Sequence, residues 1–113
     1  MRPDDARLED MQVACQRIAQ YIEGLSQDRF LSDVKSQDAV MRQLTILGEA
    51  TKYLSIEFRE AHPEVAWHEV AGLRDLLVHA YHRVSLERIW IIAEARVPAL
   101  LEFIDSVLPD FEE

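Results

Sequence analysis

The side chains best suited to chemistry are an arginine, a histidine and a tyrosine that stand close together. Arg74, His79 and Tyr81 have the spacing R-x4-H-x-Y. An arginine binds phosphate through its forked guanidinium, and a histidine exchanges a proton near neutral pH, while the tyrosine adds a modifiable hydroxyl. The group stands where an apolar helical pattern ends, before the turn-like residues 83–85. This position predicts a functional site rather than a packing surface.

An ideal helix would divide these residues into two clusters. Each residue turns the helix by about 100°, so Arg74 and His79 point about 140° apart. Asp75 and His79 are four apart and are expected to stack, with Asp75 as a supporting residue that fixes the imidazole tautomer. Arg74 and Tyr81 share a face if the helix persists. Arg74 and His79 converge on one ligand only if the helix ends at His79 or a second subunit completes the pocket.

Each of these residues also has a purely structural interpretation. His79 would suit the C-terminus of a helix, where a cation is favoured, and Tyr81 would suit the edge of a core. An R-x4-H spacing occurs in many unrelated sequences, so the spacing alone does not decide. The arginine has three acidic residues with which to form a salt bridge: Glu69, Asp75 and Glu87.

Length and composition predict one globular domain over residues 1–113. Hydrophobic residues make up 49% and charged residues 29%, which excludes a disordered chain. A net charge of −9 excludes a protein that coats nucleic acid with its whole surface, so any nucleic acid must meet a local basic cleft. The residues available for such a cleft are Arg74, His79, His82, Arg83 and Arg88.

The expected location is the cytoplasm, with no membrane contact. Cys15 is the single cysteine and lies on an apolar helical stripe, so an internal disulfide is excluded and a reducing compartment fits. The N-terminal residues contain no apolar stretch of the kind found in secretion signals. The last apolar segment contains several charged residues, which excludes a membrane span.

Apolar residues recur with spacings of three and four in the first half, which predicts helices and no strands. The first helix has Gly24 near its end, with Ser26 and Ser32 as caps around a short turn. The second is expected to run unbroken to His62, because the following proline disfavours helix in the residue before it. The two stripes are Leu8, Met11, Cys15, Ile18, Ile22 and Leu25, then Val40, Leu44, Leu47, Thr51, Leu54 and Phe58.

The second half predicts a shorter helix and a longer, more apolar one. The shorter helix spans about residues 65 to 80, and Ser85 caps the longer one. Pro98 removes a backbone donor from the longer helix, so a kink or break is expected between residues 96 and 98. The stripes are Trp67, Val70, Leu73, Leu77 and Val78, then Leu86, Trp90, Ala93, Val97, Leu100, Ile104 and Val107.

These helices predict an all-α fold, an antiparallel bundle of four to five helices. Ile89, Ile91 and Ile92 lie outside or beside the last stripe, more apolar surface than one internal seam needs. An exposed apolar face usually meets another protein, so we expect a homodimer. The alternative is that the bundle wraps this helix on several sides.

Two glycines inside helices also suggest close packing. A glycine in a helix costs about 1 kcal/mol against alanine, so Gly48 and Gly72 are expected to have a packing reason. Gly72, just before Arg74, would let another helix approach the site. The alternative is a helix break between Trp67 and Leu73.

Four segments of the chain resemble the HepT-like toxins of the HEPN superfamily. They occur in order along nearly the whole chain, which is far more specific than R-x4-H. The segments are LSQDRFLSD at residues 25–33, QDAV at 37–40, ILGEA at 46–50 and PEVAWHEVAGLRDLLVHAY at 63–81.

The resemblance implies an HEPN-like helical homodimer that acts as a toxin ribonuclease on an RNA substrate, without a metal or other cofactor. It implies that Arg74 and His79, contributed by both subunits to a cleft at the dimer interface, are catalytic. It also implies a partner, a cognate nucleotidyltransferase antitoxin, which silences the toxin by attaching AMP to Tyr81.

Two other functions remain open. A non-catalytic member of the same superfamily would bind a nucleotide or support a nucleotidyltransferase, although such a scaffold has no need of the complete Arg74, His79 and Tyr81 set. A metal-binding protein would use Asp75, His79 and His82, which share a helical face at i, i+4 and i+7.

Overall fold

The computed structural model describes residues 3–108, and these residues form helices without any strand. The rest of the predicted domain, residues 1–2 and 109–113, lies outside the described part. Buried apolar side chains of the described residues form a single cluster. The α-helices in chain order are α1 (Asp5–Ile22), α2 (Gln27–Leu31), α3 (Val34–Lys52), α4 (Ile56–Ala61), α5 (Trp67–His79), α6 (Leu86–Ile91) and α7 (Val97–Val107).

Helix α3 lies between α1 and α5, and α1 also packs against α7. Hydrogen bonds and ion pairs between residues near the ends of these helices show which way each helix runs. Ser55, after α3, bonds to Asp4 at the start of α1, so α1 and α3 run antiparallel. Asp38 meets Tyr81 while Lys52, farther along α3, meets Asp75, so α3 and α5 are antiparallel as well. The predicted all-α antiparallel bundle is confirmed, whereas the homodimer remains a prediction.

The first predicted stripe is the inner face of α1. Its first four members are completely buried, and Ile22 and Leu25 pack at the edge of the core. Burial raises the pKa of the Cys15 thiol to about 12, with the nearby Asp105 carboxylate adding to the shift. The thiol is therefore neutral and inert at physiological pH. Gly24 follows the helix with φ +79, a conformation that glycine adopts without steric cost.

Both predicted serine caps are confirmed. The Ser26 hydroxyl accepts a hydrogen bond from the Arg29 backbone N–H and caps the start of α2. Ser32 caps the end of α2, and its hydroxyl donates to two carbonyls of that helix. Asp33 caps α3 by accepting from the Ser36 backbone N–H, because it is the residue in extended conformation directly before the helix.

The second predicted helix stops at His62 as expected, but it is interrupted on the way. Helix α3 ends at Lys52, and a separate helix α4 begins after Ser55. Asp4 accepts hydrogen bonds from both the backbone N–H and the hydroxyl of Ser55, at 2.9 and 2.7 Å. Ser55 itself accepts from the Phe58 backbone N–H and starts α4. A contact with a residue far away in the chain thus fixes this break. The apolar spacing gives no sign of this break, because Leu54 and Phe58 on either side of it both pack in the core.

The shorter helix agrees with its prediction to within two residues at each end. Trp67 is buried, and its indole N–H donates to the His62 carbonyl at 2.9 Å. The predicted stripe is wrong at Val78, which is 48% exposed. No break separates Trp67 from Leu73, so that alternative for Gly72 is wrong as well.

Pro98 distorts the last helix without ending it. A π-helical segment, Ile92–Arg96, joins α6 to α7, and Pro98 stands in the first turn of α7. A proline ring would strike the carbonyl four residues earlier in a regular α-helix, and the wider π-helical turn removes that conflict. The predicted irregularity of the helix near Pro98 is thus confirmed. The predicted Ser85 cap is confirmed as well, because the Ser85 hydroxyl accepts a hydrogen bond from the Arg88 backbone N–H.

The surplus apolar residues of this helix are mostly used inside the protomer. Ile89 is 1% exposed and Ile92 packs against the core, whereas Ile91 remains 51% exposed. The bundle therefore wraps this helix at Ile89 and Ile92, and Ile91 is the member of the three left exposed for a partner. Within the described residues no helix is long and apolar enough to cross a membrane.

Candidate functional site at the end of helix α5

Arg74 is held in place by a close approach of α3 and α5. A Cβ atom added to Gly48 would lie 2.7 Å from the Arg74 backbone nitrogen and 3.0 Å from the Val70 carbonyl oxygen. Only a glycine allows the two backbones to come this close. Gly48 thus has the packing role that was expected of it. Gly72 does not, because no atom lies within 4 Å of a Cβ added there.

The guanidinium of Arg74 lies between two carboxylates. Its Nε is 3.1 Å from Glu49 Oε1, and its terminal nitrogen donates to Asp75 Oδ1 at 3.1 Å. The Glu49 contact is an ion pair rather than an aligned hydrogen bond, and Glu49 Oε1 is buried with no hydrogen-bond partner. Of the predicted salt-bridge partners only Asp75 is used, and Glu69 instead pairs with Arg96. The arginine is therefore fixed in direction by its own protomer.

Asp75 supports Arg74 and not His79. Its carboxylate also lies 3.5 Å from Lys52 Nζ. The hydrogen bond from Arg74, followed by the charge of Lys52, lowers the pKa of Asp75. The structure shows no bond between Asp75 and His79, so the predicted pair is not formed. The competing attraction of two nearby cations explains why the carboxylate turns away from the imidazole.

His79 is the last residue of α5 and is exposed. Among residues 3–108 its ring has no hydrogen-bond or ion-pair partner. The helix stops here, since Ala80 closes it and residues Tyr81–Arg83 form a single 3-10 turn. The shared helical face expected for Arg74 and Tyr81 therefore does not exist. The ending at His79 is the condition under which Arg74 and His79 were expected to reach one ligand.

Tyr81 is fastened to α3 by a short hydrogen bond. Its hydroxyl donates to Asp38 Oδ1 at 2.6 Å, although the side chain as a whole is 42% exposed. This bond to a carboxylate, which holds the phenol in its neutral form, is the main reason that the pKa of Tyr81 is raised. The sequence did not indicate Asp38, because the two residues are far apart in the chain.

A groove beside Arg74 replaces most of the predicted basic cleft. Of the five residues suggested for that cleft, only Arg74 lines it, and His82, Arg83 and Arg88 are exposed elsewhere. The groove has a volume of about 530 Å³ between α1, α3 and α5. Sequence reasoning missed its two other arginines because they come from helices separate from R-x4-H. The groove is lined by Arg7, Asp10, Arg42, Thr45, Ile46, Glu49, Ala50, Tyr53, Arg74 and Val78.

The metal-ligand set proposed from the sequence is not assembled. Asp75 and His79 are on α5, but His82 lies beyond the end of that helix, so the required i+7 position is lost. In the described part of the chain, no group of three His, Cys, Asp or Glu side chains is placed to hold a metal ion. The single helical face on which the metal-binding interpretation depends is therefore not formed.

Comparison with known proteins assigns the chain to one family. The model of the family described as ribonuclease HepT-like matches residues 11–107, which include Arg74, His79 and Tyr81. The chain therefore belongs to the HepT-like ribonuclease family, as the resemblance predicted.

Several relatives share much of the sequence. A Thermococcus cleftensis protein described as a probable ribonuclease HepT is 39% identical over 93 residues, or 82% of this chain and 84% of that protein. A Methanocaldococcus jannaschii protein, described only as a candidate RNase, is 38% identical over 84% of this chain and 78% of its own. A candidate RNase of Caldanaerobacter subterraneus is 37% identical over 89% of this chain and 90% of its own. No solved structure shows a significant match.

Proposed function

We propose that this protein is a metal-independent ribonuclease and the toxin of a toxin–antitoxin system. Arg74 and His79 are its catalytic residues, in a cleft shared by two subunits. Membership of the HepT-like ribonuclease family supports the reaction class. The observation that carries the residue assignment is the contrast within α5. Arg74 is fixed between Glu49 and Asp75, whereas His79 is exposed and uncommitted at the helix end.

The chemistry follows from these two groups. The ribose 2′-oxygen forms a bond to the adjacent phosphorus, and the bond from phosphorus to the 5′-oxygen breaks, so neither water nor a metal enters this step. His79 accepts the 2′-hydroxyl proton or donates a proton to the leaving 5′-oxygen. Arg74 stabilises the negative charge that grows on the phosphate oxygens. A homodimer would supply two imidazoles, one for each proton transfer.

Arg74 keeps donors for this role despite its two carboxylates. A guanidinium has five N–H groups, and the recorded contacts engage only Nε and one terminal nitrogen. The site would therefore present an oriented donor surface to a phosphate. Asp75 acts as the supporting residue by orienting Arg74.

Tyr81 is the proposed site of control. Its oxygen would attack the α-phosphorus of a nucleoside triphosphate held by the nucleotidyltransferase antitoxin, with pyrophosphate as leaving group. Asp38 already accepts the phenol hydrogen at 2.6 Å and is placed to take the proton. Attached AMP removes this hydrogen bond and sets a phosphodiester charge beside the Asp38 carboxylate. The resulting repulsion would displace the turn Tyr81–Arg83, next to His79, and the AMP would also repel RNA.

The nuclease assignment is tested with purified wild-type protein and the variants His79→Ala and Arg74→Ala, using a labelled single-stranded RNA. Wild-type protein should cleave the RNA in the presence of chelator, and each variant should be slower by about 10²–10⁴-fold. His82→Ala, a nearby exposed histidine, should retain activity. Folded wild-type protein that never cuts RNA would favour the alternative, a non-catalytic subunit that binds a nucleotide or supports a nucleotidyltransferase.

Dimer formation and modification each need a separate measurement. Sedimentation equilibrium should give a dimer, and a strictly monomeric protein would contradict the shared cleft. A mixture of Arg74→Ala and His79→Ala subunits should recover part of the activity, because a mixed dimer keeps one guanidinium and one imidazole in the shared cleft, whereas each variant alone lacks one of the two groups. After co-expression with a cognate nucleotidyltransferase, intact mass should rise by AMP units, and Tyr81→Phe should abolish the increase.

A further inference from the structure

Three arginines converge on one groove of an acidic protein. Arg7 of α1, Arg42 of α3 and Arg74 of α5 line it, whereas the chain carries a net charge of −9. Only two carboxylates line the same groove, and one of them, Glu49, is already paired with Arg74. The lining therefore has three cationic and two anionic side chains, a local excess of positive charge of the kind that an acidic protein needs if it is to bind a polyanion.

Arg7 and Arg42 take no part in the ion pairs of the described residues. Both are exposed, and within residues 3–108 neither forms an ion pair. Lys52 and Arg96, by contrast, each pair with a carboxylate from another part of the chain. Arg7 and Arg42 therefore have free donors that face the groove.

An exposed aromatic ring stands at one end of this groove. Tyr53 is 59% exposed, and the Arg7 guanidinium carbon lies 4.9 Å from its ring centroid. A large, exposed ring contributes little to folding. Together the ring and the guanidinium give the flat, cationic surface on which nucleic-acid bases stack.

We propose that this groove is the binding track for single-stranded RNA, with Arg7 and Arg42 on phosphates and Tyr53 under an unpaired base. Arg42 and Tyr53 are separated by about 16 Å along α3, given a rise of 1.5 Å per residue. Arg74 contacts α3 about midway between Arg42 and Tyr53, so a strand in the track passes the proposed catalytic arginine. An unpaired strand is required, because a base in a duplex cannot leave its stack to lie on Tyr53. The inference rests on the proposed ribonuclease function and adds a substrate-binding role for three residues.

Binding is measured separately from cleavage. The probe is a fluorescein-labelled oligo(A) of about 12 nucleotides, within the range of single-stranded sites. It is titrated by fluorescence anisotropy into full-length protein carrying His79→Ala, which prevents cutting and leaves the groove intact. Further substitutions in this background are Arg7→Ala, Arg42→Ala, Tyr53→Ala and Tyr53→Phe. Arg17→Ala is the matched control, since it removes the same charge from an exposed position of α1 outside the groove.

Loss of either groove arginine should weaken binding by about tenfold at low salt and lower the slope of log affinity against log salt by about 0.7. Tyr53→Ala should weaken binding by about 5- to 150-fold, whereas Tyr53→Phe, which keeps the ring, should bind normally. Arg17→Ala should have the affinity and salt slope of the parent. A duplex RNA of equal length should compete poorly. With His79 restored, Arg7→Ala and Arg42→Ala should each raise KM and leave kcat unchanged.

The outcomes separate the two proposals. If wild-type protein cleaves RNA but the groove variants keep their affinity and KM, the track is wrong and the ribonuclease stands. If the groove variants instead lose self-association, a second copy of the chain covers the groove and the track is again wrong. If folded wild-type protein neither binds nor cleaves RNA, both proposals fall.

Discussion

The two ends of the R-x4-H motif differ in how firmly the protomer holds them. At Arg74 the backbones of α3 and α5 touch through Gly48, and the guanidinium is tied to Glu49 and Asp75. Five residues later, His79 is exposed at the end of α5 and has no partner among the described residues. The Arg74 end of the motif is pre-organised within the protomer, whereas the His79 end is open to a substrate or a second subunit. A group that must exchange protons with a substrate gains from such freedom, whereas a group that stabilises charge gains from fixed direction.

The largest test of this contrast uses catalysis and stability together. Arg74→Ala and His79→Ala should lose similar amounts of activity, but only Arg74→Ala should clearly lower the free energy of unfolding, by up to about 1 kcal/mol. The cause is that Glu49 loses its counter-ion, and the effect is small because solvent screens a pair whose side chains are 34% and 44% exposed. His79→Ala should stay within about 0.5 kcal/mol of wild type, because no contact is removed. Denaturant unfolding measures the free energy of unfolding of both variants. A strongly destabilised His79→Ala protein would show that the His79 imidazole does make contacts that stabilise the fold.

The two helix glycines give a matched pair of stability changes with opposite sign. Gly48→Ala should destabilise the protein by about 1–3 kcal/mol, because the new methyl meets the backbone of α5, which must move. It should also reduce activity by displacing Arg74. Gly72→Ala meets no atom, so it should stabilise the protein by up to about 1 kcal/mol through helix propensity.

Thermal or denaturant unfolding of the two variants provides the measurement. Equal stability of both alanine variants would contradict the close α3–α5 contact. Loss of the dimer in Gly72→Ala would instead place the open side of α5 in the subunit interface.

The smallest expected effect concerns the pH dependence of Tyr81. Its bond to Asp38 raises the pKa of the phenol, so the stabilisation is complete below the ordinary tyrosine pKa of about 10 and is lost as pH rises through the folded-state value. Asp38→Asn should bring the pKa back toward 10. The phenolate absorbance in the near ultraviolet, taken as a difference from Tyr81→Phe, isolates this residue from the other two tyrosines. An unchanged titration in Asp38→Asn would mean that the hydrogen bond is absent in solution.

The sequence by itself predicted the helices and drew attention to the R-x4-H motif, because both are defined by local spacing. Apolar residues three and four apart define the buried faces of α1, α3, α5 and α7 whatever the rest of the chain does. Capping and proline effects are equally local, which is why Ser26, Ser85 and Pro98 behave as predicted. The family resemblance, too, could be recognised from short segments in order.

Only the tertiary structure decided how those elements meet. The break before Ser55 depends on Asp4, the anchoring of Tyr81 on Asp38, and the direction of Asp75 on Lys52, all through contacts between distant parts of the chain. The predicted Asp75–His79 pair failed for the same reason, because helical spacing brings two side chains near each other but cannot rank their attraction to other charges. The arginine groove likewise joins three helices. Its charge becomes visible only when long-range packing has placed them side by side.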